Sequence, residues 1–117
     1  MSVIKNKRLL TDATATGYSD ECQPVFSTKR SFQVTAKTSA GAGACVVTIQ
    51  GSNLTSPVLS TDVEWVTLGT VTFTNVTQPD TTKVSDGFTT DAPWFHIRAK
   101  VVSISGTGNT VNVWMAQ

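Results

Sequence analysis

The feature that most constrains this chain is strict alternation of apolar and polar side chains, repeated in segment after segment from residue 30 onward. Between Trp94 and Ser105, the residues Phe95, Ile97, Ala99 and Val101 share one parity, while Trp94, His96, Arg98 and Lys100 share the other. A repeat of two sends successive side chains to opposite faces of a β-strand, whereas a helix would scatter the same set around its circumference. The pattern recurs in Phe32, Val34 and Ala36 against Gln33, Thr35 and Lys37, and again in Cys45, Val47 and Ile49. It ends with Val111, Val113 and Met115 against Asn112 and Trp114. Each such strand is expected to be buried on one face and wet on the other. Twenty threonines and many valines point the same way, because β-branched side chains suit a pleated, half-buried surface.

Between these strands the sequence carries turn residues. Ser39-Ala40-Gly41-Ala42-Gly43-Ala44 reads as a hairpin loop, and Gly106-Thr107-Gly108-Asn109 as a second hairpin turn. From Trp65 to Asn75 the apolar phase shifts, with Val66 and Leu68 on even positions and Val71 and Phe73 on odd ones. Gly69 lies at the shift, which predicts a β-bulge that turns both pairs toward the core. Leu54 to Glu64, with Pro57, is predicted mostly as loop, Gln78-Pro79-Asp80 as a turn, and Lys83 to Thr89 as a weaker strand. Val3 to Leu10 is a first strand or arm, and Thr11 to Gln23 a polar excursion or a short strand with a loop. A chain of 117 residues holds one core. Seven or eight strands with such turns make an all-β domain, an antiparallel two-sheet sandwich or a closed barrel, and the expectation is the sandwich, jelly-roll-like. Residues 1–29 form an arm or first strand with its loop, and residues 30–117 the sandwich body.

Charge narrows the choice of function. Nine basic residues against eight acidic ones leave a formal charge of +1, without the basic excess that phosphate neutralisation requires. Lys5, Lys7 and Arg8 are answered by Asp12, Asp20 and Glu21, so nucleic acid is not an expected partner. No run reaches the eighteen or so apolar residues of a membrane span, and Met1 to Leu10 lacks a signal-peptide core. Maturation in a cytoplasm is the expectation, which makes the sequons at Asn53 and Asn75 chance matches. Cys45 alternates in phase with the core, and Cys22 lies near Pro24 at a strand entrance. A bridge between them is geometrically open, but reducing synthesis favours two free thiols.

Catalysis is not expected. The single histidine, His96, sits on the polar parity beside Arg98, with no partner that would activate a nucleophile, and it reads as a surface or interface residue. One His and two distant Cys cannot build a zinc site, and Asp80, Asp86 and Asp91 lack the dense spacing of a calcium loop. The glycine pairs complete no phosphate-binding motif. No cofactor or metal is therefore expected. The tryptophans carry more information. Trp65 reads as core, whereas Trp114 and Trp94 fall on the outward parity, where they either meet a partner or lie beneath the arm or long loops. Trp114, Trp94, His96 and Arg98 are the candidate contact residues.

Several short stretches resemble those of small phage virion proteins: Thr48-Ile49-Gln50-Gly51-Ser52-Asn53, Trp65-Val66-Thr67-Leu68-Gly69, Ser85-Asp86-Gly87-Phe88, Pro93-Trp94-Phe95-His96-Ile97-Arg98-Ala99 and Ile104-Ser105-Gly106-Thr107-Gly108. The resemblance spans roughly Phe32 to Met115. It implies a jelly-roll protein of the capsid decoration, or cement, type. Such a protein would be made in the host cytoplasm and bind the exterior of an assembled shell. Its partners would be the major capsid protein and itself, as a homo-oligomer such as a dimer or trimer. The Trp-x-x-Leu and Ile-Arg strands are also similar to galactose-binding-like jelly rolls. That likeness implies a carbohydrate-binding module of a tail or fibre, with Trp94 and Asp91 as its platform. A tail or head–tail connector subunit is a third expectation.

Overall fold

The computed structural model describes residues 6–22, 29–76, 84–90 and 93–117. The turn expected at Gln78-Pro79-Asp80, the start of the arm at Val3, and Asp91 lie outside the described residues. Among the described residues there are eight strands: β1 (Asn6–Ala13), β2 (Gly17–Tyr18), β3 (Arg30–Lys37), β4 (Ala40–Ser52), β5 (Val66–Val76), β6 (Val84–Thr90), β7 (His96–Thr107) and β8 (Thr110–Ala116). They form two antiparallel four-stranded sheets, β1-β8-β3-β6 and β2-β7-β4-β5. The pairings β1–β8, β2–β7, β3–β6 and β4–β5 are nested one inside another, as though one long hairpin with its tip between β4 and β5 had been rolled up. That nesting is the jelly roll.

Alternation decides which side chains line the interior. On β3 and β8, Phe32, Val34, Ala36, Val111, Val113 and Met115 are all buried; on β4 and β7, so are Cys45, Val47, Ile49, Ile97, Ala99 and Val101. The pairings Val34↔Val113 and Ile49↔Ala99 place these sets side by side within each sheet. Burying a side chain of the Val, Ile or Met class stabilises the fold by roughly 1.5–3 kcal/mol, so this set supplies the main driving force for the sandwich. The phase shift in β5 is a bulge: Ile49 pairs with Gly69 and Gln50 with Thr67, leaving Leu68 as the extra residue. It turns Leu68 and Phe73 onto the core, but Val66 remains exposed. Gly69 is where Phe88 of the other sheet closes in; a Cβ built there would lie 2.5 Å from the ring.

Two expected hairpins prove to be arches between sheets. The Gly106–Asn109 segment links β7 of one sheet to β8 of the other, with Gly106 and Gly108 at φ of 106° and 62°. Asn109 is buried there, its Nδ2 donating to the carbonyls of Ser105 (2.9 Å) and Ala44 (3.3 Å). Ser39–Ala44 is likewise no hairpin loop, because β3 and β4 belong to different sheets and Ala40 already pairs with Thr107. Its small residues let the backbone come close to the end of β7: a Cβ on Gly43 would lie 2.3 Å from the Ser105 carbonyl oxygen. Phe95 departs from its parity as well. It precedes β7 and is 49% exposed, so the inward face of that strand begins at Ile97.

Candidate interaction surface

Residues 53–65, between β4 and β5, lie over the outer face of the β2-β7-β4-β5 sheet, and one cation holds them there. Arg98 on β7 points away from the core yet is only 1% exposed. Its guanidinium is flanked by two aromatic rings, at 3.9 Å from the centroid of Tyr18 and 4.1 Å from that of Trp65. Nε donates to Gln50 Oε1, Nη1 to the Leu59 carbonyl and Nη2 to the Thr61 carbonyl, each at 2.7 Å. Burial lowers its pKa from the ordinary arginine value, while Tyr18, Asp62 and Glu21 act in the opposite direction. An arginine stays charged regardless, so the loop carbonyls here stand in for water around a permanent cation.

Asp62 completes the attachment. It accepts from Lys100 Nζ (2.6 Å), Tyr18 Oη (2.9 Å) and Gln50 Nε2 (3.0 Å). The hydrogen bonds from Lys100 and Gln50 hold its carboxyl at about 2, well under the usual 3.8. The same contact raises the Lys100 ammonium above its ordinary value. The carboxylate is half exposed, so solvent screening keeps its ion pairs modest. Further along, Trp65 Nε1 donates to the Val58 carbonyl (2.8 Å), the Val58 amide to Glu64 Oε1 (2.8 Å) and the Phe95 amide to Asn53 Oδ1 (3.0 Å).

His96 lies in the same layer at 2% exposure. Its Nδ1 is 3.2 Å from Glu21 Oε2 and its Nε2 3.4 Å from the Thr55 carbonyl oxygen, with the Phe95 ring edge-on at 4.6 Å between centroids. His96 and Arg98 were expected on a surface open to partners. Instead the loop and the Tyr18–Glu21 segment cover them, and they are interior braces. Trp94 is partly covered too, its ring lying over Gly51, where a Cβ would come within 2.7 Å. Trp65 is buried as expected, but on this outer layer against Arg98 rather than between the sheets.

Because carbonyls of residues 55, 58, 59 and 61 are engaged from within, the apolar side chains of the loop are left at the surface. Leu54, Val58, Leu59 and Val63 are exposed, Val63 at 87%, and Val66 and Phe95 flank them. Among the described residues, six of the seven exposed large hydrophobic residues belong to this one region, Val102 being the exception. Leu54 to Glu64 was expected to be mostly loop, with no contact role; its signal was four aliphatic residues inside a Ser/Thr-rich segment with neither strand nor helix spacing.

The fourth candidate, Trp114, stands on the outer face of the other sheet. It pairs with Arg8 on β1 and Gln33 on β3, and the Arg8 guanidinium stacks on it at 3.6 Å from a ring centroid. Two shallow clefts of about 210 and 310 Å³ share the tryptophan as a wall. In the first, Asn112 and Asp12 lock each other: the Asp12 amide donates to Asn112 Oδ1 and Asn112 Nδ2 to Asp12 Oδ1. This exchange accompanies the positive φ of Asp12, 48°. The structure therefore places Trp114 on one face of the molecule and Trp94, His96 and Arg98 on the opposite one. Among the described residues no group of three His, Cys, Asp or Glu side chains is placed to hold a metal ion. Cys22 and Cys45 are free and buried, and burial raises both thiols, Cys45 to about 11. No family model, no curated protein and no solved structure matches this chain.

Proposed function

We propose that this chain is a non-catalytic binding protein of the capsid decoration type, docking on the repeated protein surface of an assembled phage shell through the apolar rim at residues 54–66 and Phe95. The observation that carries the reading is the concentration of exposed hydrophobic side chains on that rim, over a layer fixed by Arg98 and Trp65. An apolar patch costs solubility and marks a contact surface. A patch held rigid before binding loses little side-chain and loop entropy when a partner covers it. On a shell each modest contact is repeated across the lattice, and a multivalent unit gains avidity from the repetition. The phage assignment itself rests on the sequence resemblance.

The test is sedimentation with empty capsids. Leu59→Asp and Val63→Asp each place a charge at the centre of the patch, where desolvating it against an apolar partner costs a hot-spot contact. Loss of about 2 kcal/mol corresponds to roughly thirtyfold weaker binding. Val102→Asp, at an exposed valine outside the patch, is the control and should bind as the parent does. Equal binding by all four proteins would refute the rim as the docking surface. Binding to a glycan panel, with none to capsids, would move the function to a carbohydrate module.

A further inference from the structure

We propose that β5 is the seam of a two-fold homodimer, pairing antiparallel with the β5 of a second copy around Thr72 and extending its sheet to eight strands. This inference comes from the sheet edges and does not depend on the docking rim.

An edge strand presents a row of unpaired backbone groups, and natural proteins protect such edges with charge, proline or brevity. The sandwich has four edges among its described residues: β1 and β6 in one sheet, β2 and β5 in the other. Three of them carry such a device. On β1 it is Lys7, Arg8 and Asp12, and on β6 it is Asp86. The β2 strand is only two residues long. The β5 strand has neither charge nor proline in its eleven residues, VTLGTVTFTNV, and its two register shifts lie on either side of the regular stretch from Gly69 to Phe73. It is long and neutral, and among the described residues no strand pairs with it on the side away from β4.

Its sequence also matches its own reverse. Past the bulge, Thr70, Thr72 and Thr74 are exposed and share one face of the strand, while Val71 and Phe73 turn inward. A two-fold axis through Thr72 sets Thr72 against its copy, Thr70 against Thr74, and Val71 against Phe73. Threonine pairs directly opposite each other, and β-branched residues opposite aromatics, are favoured cross-strand neighbours. A two-fold contact requires this kind of self-complementarity, because one patch must serve both partners. A charged partner strand would find nothing on β5 to pair with, whereas a second β5 finds its match across the five residues from Thr70 to Thr74.

Mass in solution, by light scattering across a dilution series, tests the proposal. The parent protein should have twice the chain mass. Thr72→Lys sets two ammonium groups face to face across the axis and should halve that mass, with an unchanged circular dichroism spectrum confirming the fold. Thr70→Lys combined with Thr74→Glu sets each new cation opposite a new anion and should retain the dimer, whereas Thr70→Lys with Thr74→Lys should lose it. A parent that is monomeric throughout, or a folded Thr72→Lys protein that remains dimeric, overturns the proposal. Capsid sedimentation of the Thr72→Lys monomer reads the docking rim separately: it should persist there, weakened only by the loss of bivalency.

Discussion

Replacing Arg98 by alanine tests whether the covering layer is held as described. The substitution removes three charge-assisted hydrogen bonds of 2.7 Å and two cation–aromatic stacks at once. Deleting one member of a buried polar set typically costs about 3–5 kcal/mol, because its partners are left without water or protein. Here the lower end applies. The Leu59 and Thr61 carbonyls belong to exposed residues and rehydrate once the loop lifts, so only Gln50 Oε1 is stranded in a buried side chain. A loss of about 3 kcal/mol is a sizeable part of the roughly 5–15 kcal/mol that holds a domain together. At about 4 °C per kcal/mol for a chain of this size, the melting temperature should fall by roughly 12 °C. Denaturant titration gives the free energy, and limited proteolysis reports on the loop. Cleavage between residues 53 and 65 should accelerate well before the core melts. Arg98→Lys keeps the charge but not the planar fork or the stacking, so it should recover only part of the loss. A stability loss under about 1 kcal/mol, or an unchanged cleavage rate in the loop, would refute the bracing role.

Three further outcomes follow from the same geometry. Gly69→Val forces a branched side chain against the Phe88 ring and should cost about 1–3 kcal/mol by denaturant titration, whereas Thr89→Val, at an exposed position, should be near neutral. Asp62, held at about 2 when folded against an ordinary 3.8, contributes stability that is present above the ordinary value and lost as pH falls toward 2. Loop proteolysis by an acid-active protease should therefore rise across that window, and Asp62→Asn should flatten the rise. Cys22 and Cys45, buried with raised thiol pKa, should resist a thiol reagent in the native protein and both react once it is unfolded.

The strands were legible from the sequence because alternation is a local signal and burial follows parity directly. Phe32, Val34, Val111 and Val113 each lie where their position assigns them, and Gly69 marks the bulge. Sheet membership was not legible. A Gly-rich turn reverses the chain equally well within one sheet or across to the other, and only the nested pairing shows that Gly106–Asn109 crosses over. The polar parity of β7 misled for a different reason. Alternation separates two faces but does not say what lies above the outer one, and here a Ser/Thr-rich loop supplies the carbonyls that let His96 and Arg98 be buried. Phe95 and Val66 fell on the wrong side because they sit where strands begin and parity is not yet enforced by pairing.

The nested pairing also dictates when folding can finish. Asn6 is bonded to a strand that includes Ala116, and β8 lies between β1 and β3 rather than at a rim. A nascent chain could dock β4 on β5 early, yet β1 and β3 would face each other across a one-strand gap until residue 110 and its successors left the ribosome. Contacts this distant in sequence are slow to form. Half the sandwich must wait exposed until β8 has been made, which makes the interval before that strand emerges the period when this protein is most at risk of aggregating.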